Sequence, residues 1–363
     1  MKFTFVTPAD NLSGGTRVIA TYAQLLLARG HKVQVVANAP DQPGLREQWR
    51  ALRRGQWRAQ RRDMQPQPGH LAQAAVPLHT LDRPRPVVAQ DLPDADVLIA
   101  TWWETAEWIH PLSASKGFKV HLIQDYEVWS GPQSAQRVHA ALRLPNAKIV
   151  ISDELRRTLH SRLGELDLSL VPNSVDFRQF DAPARLPHAE PVVGFMYGLS
   201  PRKAPDLYLQ ACTLARQHMP GLRFVAFGAD LPTPDFPLPE GTTFFHRPQQ
   251  HRLASIYASC DAWLFGSRID SFGLPILEAM ACHTPVIAVP VGAAPALLAD
   301  GCGVLIAPES PQAMAQAMLE LLALPAGDWQ RMSQRAYQRA RAYSWDDAAD
   351  RFLETIAQSM ANA

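Results

Sequence analysis

Two carboxylates, Asp270 and Glu278, stand with seven residues between them in RIDSFGLPILEAMACHTPV, residues 268–286. Between them lie Ser271, Phe272, Gly273, Leu274 and Pro275. The apolar run from about 274 reads as a helix that begins here. The first N–H groups of a helix have no partner in the helix, and its dipole is positive at that end, so an anion settles there. Gly273 lets a ligand come close to the backbone, and Pro275 suits a first helical turn. A phosphate therefore fits near 272–274. Carboxylates do not attract phosphate, but they accept hydrogen bonds from the hydroxyls of sugars and ribose. One acid before the turn and one after it can grip hydroxyls on both sides of a diphosphate. The ligand that suits this arrangement is a nucleotide sugar.

Such a motif needs a rigid edge to stand on. KFTFV (2–6) reads as a buried strand and KVQVVA (32–37) as the next. Between them, Val18, Ile19, Tyr22, Leu25 and Leu26 follow helical spacing, and Gly30 stops the helix. A strand–helix–strand unit favours a parallel sheet. Further strands are expected near 97–100, 119–123 and 148–151. The proline-rich segment 180–191 reads as a linker, after which the alternation restarts. Strands are expected at 192–197, 222–227, 262–265, 285–289 and 303–306. Helices are expected at about 205–218, 249–259 and from 274, then at 311–323, 327–343 and 346–360. The chain thus reads as α/β, with two doubly wound domains facing a cleft. Ligands of such sheets bind beyond the carboxyl ends of the strands, and the two-acid motif follows strand 262–265 directly.

Composition narrows the choices. A net charge of +1 over 363 residues gives no basic excess for nucleic acid. Cys212, Cys260, Cys282 and Cys302 form no CxxC pair, so they read as buried thiols in a reducing compartment. The opening apolar run is too short for a signal peptide. No stretch approaches the about 18 apolar residues of a membrane span. A cytoplasmic protein is expected. Segment 45–62 holds seven arginines and one glutamate, with Leu45, Trp49 and Leu52 on one helical face. It reads as a solvated surface element or, more sharply, as a basic helix in weak contact with the inner face of an anionic membrane. Asp94 and Asp96 precede a strand and read as turn acids. With no HExxH pattern among the histidines, neither a catalytic metal nor another cofactor is expected.

The two-acid stretch resembles the acid–x7–acid motif of retaining glycosyltransferases of family 4, which have the GT-B fold. SGGTRVIATYAQLLLARGHKVQVV (13–36) is similar to the family's N-terminal glycine pair, first helix and second strand. VPNSVDFRQF (171–180), LSPRKAPDLYLQA (199–211) and YSWDDAADRFLETI (343–356) resemble its later motifs: the close of the first domain, the phosphate-lysine loop and the final helix. The resemblance covers nearly the whole chain and implies two Rossmann-like domains. An acceptor-side domain would span 1–182 and a nucleotide-sugar domain 190–345, with the final helix 346–363 crossing back onto the first. HLIQDYEVW (121–129) resembles the rhamnosyltransferase-like branch. The sequence departs from the pattern in places. The first acid is Asp270 rather than Glu. Gly198 stands where an arginine precedes the lysine, with Arg202 and Arg268 as candidate substitutes. The glycine after Cys282 is His283, and residues 292–296 read Gly-Ala-Ala-Pro-Ala.

The resemblance assigns roles. Glu278 would accept from the ribose hydroxyls and Asp270 from a hydroxyl of the donor sugar. Lys203, with the amides near 272–274, would stabilise the diphosphate. Gly14 and Gly15 would let the backbone approach the donor phosphate or the acceptor. Asp125 would orient the sugar or the acceptor hydroxyl, and Glu127 is a weaker candidate. The donor-binding set is then Gly14, Gly15, Arg202, Lys203, Arg268, Asp270, Ser271, Phe272, Gly273, Leu274 and Glu278, with Asp125, Lys203 and Asp270 catalytic. The activity implied is metal-independent transfer of a hexose or deoxyhexose, with retention, to a glycan or lipid-linked acceptor in surface polysaccharide or glycoconjugate assembly. An epimerase or hydrolase on the same fold, or an idle sugar-nucleotide-binding partner, are the alternatives.

Overall fold

The computed structural model describes residues 1–40, 68–129 and 132–363. The basic segment 45–62 lies outside the described residues. The chain divides into two compact units. Unit 1 holds residues 1–150, 159–169 and 349–363, and unit 2 holds 151–158 and 170–348.

Unit 1 is built on seven strands: β1 (Lys2–Thr7), β2 (Lys32–Ala37), β3 (Leu78–Thr80), β4 (Val97–Ala100), β5 (Phe118–Ile123), β6 (Ala147–Val150) and β7 (Ser169–Leu170). Their order is β3-β2-β1-β4-β5-β6-β7. The register is parallel from β3 through β6. β1 and β4 are buried on both faces, as expected of strands covered by helices on both sides. Helix α1 (Gly14–Ala28) starts at Ser13, whose side chain accepts from the Thr16 amide, and buries Val18, Ile19, Tyr22, Leu25 and Leu26. α2 (Trp103–Ile109), α3 (Pro132–Leu142) and α4 (Asp153–Leu163) follow.

Unit 2 has six strands: β8 (Val192–Tyr197), β9 (Arg223–Gly228), β10 (Thr242–His246), β11 (Ala262–Phe265), β12 (Val286–Ala288) and β13 (Gly303–Leu305). They run in the order β10-β9-β8-β11-β12-β13, all parallel. In both sheets the order reverses beside the first strand of the unit, and the crevice at such a point is where doubly wound folds bind ligands. Tight packing sets β8 against β11: a Cβ on Gly194 would lie 2.4 Å from the ring of buried Trp263. The helices are α5 (Pro205–His218), α6 (Leu253–Ala258), α7 (Leu274–Ala281), α8 (Pro311–Leu322), α9 (Ala326–Arg341) and α10 (Trp345–Ala361).

The final part of α10 belongs to unit 1. Phe352 packs on Tyr22 with ring centroids 4.6 Å apart, and Asp350 pairs with Arg29 at 2.8 Å. Residues 151–158, the first half of α4, and residues 170–182, all expected with the first domain, go with unit 2 instead. Val175 bridges to Ser344, and Phe180 packs edge-on against Tyr257. All four cysteines are free and buried. Asp96 accepts from the Lys2 amide at 2.7 Å and Asp94 pairs with Lys116 at 3.0 Å, so these acids do turn and edge duty.

Candidate functional site

The loop that follows β11 is fixed by two glycines. Gly273, at the start of α7, has φ 88°, and a Cβ there would lie 3.0 Å from Ile276 Cδ1 and 3.1 Å from Phe265 Cζ. Both the left-handed backbone and the crowding demand glycine. Gly292 has φ 60°, and its Cβ would lie 2.8 Å from the Asp270 carbonyl oxygen. The Ala293 amide donates to the Phe272 carbonyl at 3.0 Å, and the Ser152 hydroxyl donates to the Ser271 carbonyl at 2.6 Å. The Gly-Ala-Ala-Pro-Ala segment is thus the backing of the Asp270 loop.

Asp270 is the hub of this loop. Its Oδ1 accepts from the amides of Gly273 at 2.8 Å and Phe272 at 3.2 Å, and its Oδ2 accepts from Lys203 Nζ at 2.9 Å. Burial opposes ionisation of this carboxyl. The Lys203 charge and hydrogen bond, with the two amides, together outweigh burial and hold it below the usual carboxylate range. The amides expected to face a phosphate near 272–274 are therefore capped, at Phe272 and Gly273, by Asp270 itself. Leu274 opens the helix, and Phe272 is buried with its ring edge-on to Tyr343.

Lys203 ends a short 3-10 turn, Pro201–Lys203, and Ala204 after it takes φ 52° before α5 begins. An ammonium has three donors, and one of those on Lys203 goes to Asp270, so the cation can hold Asp270 and still meet a ligand oxygen. Arg268 fastens the Lys203 turn to the Asp270 loop. Its amide donates to the Arg202 carbonyl at 2.8 Å, and one guanidinium nitrogen donates to the Pro201 carbonyl at 3.2 Å. The same guanidinium forks onto Asp206 at 2.8 and 2.6 Å and onto Glu309 at 2.7 and 2.7 Å. Arg268, expected among the donor ligands, is engaged as a clamp because two carboxylates already match its planar donors. Sequence reasoning missed Asp206 and Glu309. The only available signal was an acid in the first turn of α5, which also reads as ordinary helix capping.

Glu278 is buried and accepts from the Tyr257 hydroxyl at 2.7 Å. Tyr257 itself lies in an aromatic group with Trp263 and Phe227, centroids 4.4 and 5.7 Å away. At Gly198, nothing lies closer than 3.8 Å to an added Cβ, and the nearest atoms are on Asp230 and Lys203. The missing arginine is thus not enforced by crowding. The structure brings Lys203, Asp270, Ser271, Phe272 and Gly273 together, with Arg202 and Arg268 behind them.

Gly14, Gly15 and Asp125 lie in unit 1. Gly14 and Gly15 form the first turn of α1, and a Cβ on Gly15 would lie 3.5 Å from the Gln124 amide oxygen. Asp125 Oδ1 accepts from the Tyr126 amide at 2.8 Å. Glu127 is buried and accepts from the Trp103 amide at 2.9 Å, where it ties the loop after β5 to the start of α2. This bond serves the fold, because α2 leaves that amide without a helical partner. Among the described residues no group of three or more His, Cys, Asp or Glu could hold a metal ion.

Residues 176–341 match the family model described as glycosyl transferases group 1. The D-inositol 3-phosphate glycosyltransferase of Mycobacterium avium (strain 104) is 32% identical over 198 residues, 51% of this chain and 46% of that protein. The protein of the same name from Mycobacterium tuberculosis (strain F11) is 34% identical over 200 residues, 51% of this chain and 41% of that protein. The chain spans less than half the length of these relatives. Two solved structures share the fold end to end. Sucrose-phosphate synthase from Thermosynechococcus elongatus has a TM-score of 0.75 at 18% identity, covering 100% of both chains. HepE from Anabaena, solved with UDP-glucose, has a TM-score of 0.74 at 18% identity, covering 99% of this chain and 100% of that one. The Asp270–Glu278 motif and Lys203 both fall inside the region that matches the group 1 glycosyl transferase model, in a chain with the GT-B fold.

Proposed function

We propose that this chain transfers a hexose or deoxyhexose from a nucleotide-diphosphate sugar to a hydroxyl of a glycan or lipid-linked acceptor, with retention of configuration. The observation that carries this reading is the Lys203–Asp270 pair at 2.9 Å, held at the carboxyl edge of β11 inside the region matched to the family. The bond from the anomeric carbon to the diphosphate oxygen breaks, and its electron pair stays with the diphosphate. The acceptor oxygen forms the new bond on the same face, and its proton passes to the departing phosphate oxygen. Lys203 meets the negative charge as it develops, which favours the transition state over the ground state. Asp270 aims Lys203 and offers its carboxylate edge to a donor hydroxyl. Glu278, with Tyr257, forms the polar floor that receives the ribose. HepE, solved with UDP-glucose, supports a uridine nucleotide as the first donor to try.

The test begins with a thermal-shift panel of nucleotide sugars, since a ligand of the folded state raises its stability by mass action. The stabilising donor is then incubated with acceptor glycosides, with and without EDTA. A new glycoside of unchanged anomeric configuration, formed equally in EDTA, supports the reading. Free sugar alone would point to hydrolysis, and an isomerised donor to epimerisation. A stabilising donor with no product at all would leave a sugar-nucleotide-binding partner.

A further inference from the structure

Ser152 stands just before the first turn of α4 and, with residues 151–158, belongs to unit 2. It is buried. Its hydroxyl oxygen accepts from the Leu155 amide at 3.1 Å and donates to the Ser271 carbonyl at 2.6 Å. A hydroxyl has a single proton, so the bond to Ser271 uses the one that Ser152 has. Leu155, Leu159 and Leu163 bury the helix behind it, which makes the cap a fixed post. Capping alone asks only for an acceptor, and Asp or Asn would serve α4 as well. The second bond asks for a donor on the same atom, which Ser and Thr provide. Helix capping therefore explains the acceptor and leaves the donor to another purpose.

The Ser271 carbonyl and the Phe272 amide are two ends of one planar, trans peptide. In such a peptide the C=O and N–H point opposite ways, so holding the oxygen directs the hydrogen. That hydrogen goes to Asp270 Oδ1, with the nitrogen 3.2 Å away, and the Gly273 amide reaches the same oxygen at 2.8 Å. Gly292 closes on the same peptide: a Cβ there would lie 3.0 Å from the Phe272 nitrogen and 3.1 Å from the Ser271 carbonyl carbon. Asp270 Oδ2 then meets Lys203 Nζ at 2.9 Å.

We infer that Ser152 is a positioning residue for sugar transfer: it sets the 271–272 peptide, and through it the carboxylate that aims Lys203. This inference rests on the glycosyl-transfer reading. Each bond in the series polarises the next, so the aim of Lys203 depends on a hydroxyl that lies three bonds back along it. Without that hydroxyl the 271–272 peptide is free to tilt, and Asp270 loses the direction of one amide. The consequence falls on the reacting geometry, where a small misplacement costs more than it does in donor binding.

Two measurements on the full chain test it. Turnover is read as UDP released from UDP-glucose with methyl α-glucoside as acceptor. Hydrogen exchange by mass spectrometry reads the peptide that carries Phe272 and Gly273. Ser152→Ala should lower kcat about 10- to 100-fold with KM nearly unchanged, and free UDP should bind as it does to the parent protein. Ser152→Gly should fall as far, although glycine caps a helix nearly as well as serine. Ser152→Thr keeps donor and acceptor and should recover most of the turnover. Exchange at Phe272 and Gly273 should quicken in the alanine and glycine variants and return toward the parent rate with threonine. Ser344 caps the Asp347 amide at 3.0 Å, so Ser344→Ala controls for the loss of a helix cap and should leave that exchange unchanged. A glycine variant as active as the parent, a loss carried by KM instead of kcat, unchanged exchange at Phe272, or no recovery in Ser152→Thr overturns the inference. If the parent chain releases no UDP, the proposed function is what fails, and the exchange comparison alone decides whether Ser152 holds the loop.

Discussion

The two sheets have the same order and the same crossover logic, yet their carboxyl edges differ. In unit 2 the charges of the edge satisfy one another. Lys203 and two amides converge on Asp270, and Arg268 is shared between Asp206 and Glu309. In unit 1 the edge carries the Trp102–Trp129 pair, and the Gln124 side-chain oxygen has no hydrogen-bond partner among the described residues. The unit 2 network is preorganised, and an anion can meet the Lys203 donors that Asp270 does not hold without a rearranged scaffold. One topology carries two different sets of side chains on its loops, which is where doubly wound folds keep their specificity.

The comparison breaks most readily at Lys203. Lys203→Ala should lower the turnover number by about 100- to 1000-fold, the scale of losing one electrostatic donor to a developing oxyanion. The fold should persist, and single-turnover kinetics with the stabilising donor checks both points. Asp270→Asn should lower turnover less, because the amide oxygen can still accept from Lys203 while the charge is lost. Next in size is Glu278→Ala, which leaves the buried Tyr257 hydroxyl without its acceptor. It should weaken nucleoside diphosphate binding by about 1.5–3 kcal/mol and lower stability as well. Calorimetric titration with the free nucleoside diphosphate reads the first effect. Unchanged affinity there would remove Glu278 from the ribose side.

Much of this was legible in the sequence, and the rest was hidden for identifiable reasons. The inner strands of both sheets show as short apolar runs, since parallel strands covered on both faces are buried, whereas the edge strands β3, β7 and β10 are short or half-exposed and were not expected. The Asp270–Glu278 spacing and Gly273 announced the site, because the backbone there admits only glycine. The capping of Phe272 and Gly273 by Asp270 was not legible, since it depends on a side chain turning back toward its own loop. Nor was the engagement of Arg268, whose partners Asp206 and Glu309 are far apart in sequence and meet only in the fold. Helix α4 escaped notice although Leu155, Leu159 and Leu163 keep helical spacing and are buried. Its other residues are mostly charged, which masks the stripe. Gln124 gave no sign, because an orphan acceptor exists only once its neighbours are placed.

Acid should separate the two units. His121, in β5, is buried, and burial first, then the nearby Lys148 charge, push its imidazole down from 6.5 to about 3. The folded state keeps it neutral while the unfolded chain takes up a proton below 6.5. Stability is therefore lost as pH falls from 6.5 toward 3, by at most about 1.4 kcal/mol per pH unit from this group. Asp270 works in the same sense but at lower pH. Its depressed carboxyl contributes stability above its ordinary value of 3.8, and this is lost as pH falls through its folded value. Denaturant melts between pH 7 and 4 should show a slope that His121→Leu flattens. An equal slope in the His121 variant would mean that other groups govern that limb.

The smallest expected effect is also the sharpest probe of preorganisation. Arg268→Lys keeps a positive charge between Asp206 and Glu309 but loses the planar fork that engages both carboxylates and the Pro201 carbonyl at once. The charges are partly exposed, so the cost in stability should be small, about 0.5–1 kcal/mol. If the clamp's task is to hold the Lys203 turn against the Asp270 loop, turnover should fall several-fold while donor affinity barely moves, since misplacement is felt most in the transition state. Arg268→Gln should be worse than Lys in turnover but similar in affinity. A donor ligand would behave differently, with affinity falling first and by the larger factor. Measuring KM and kcat for the two variants with the same donor therefore decides whether Arg268 acts on the substrate or only through Lys203 and Asp270.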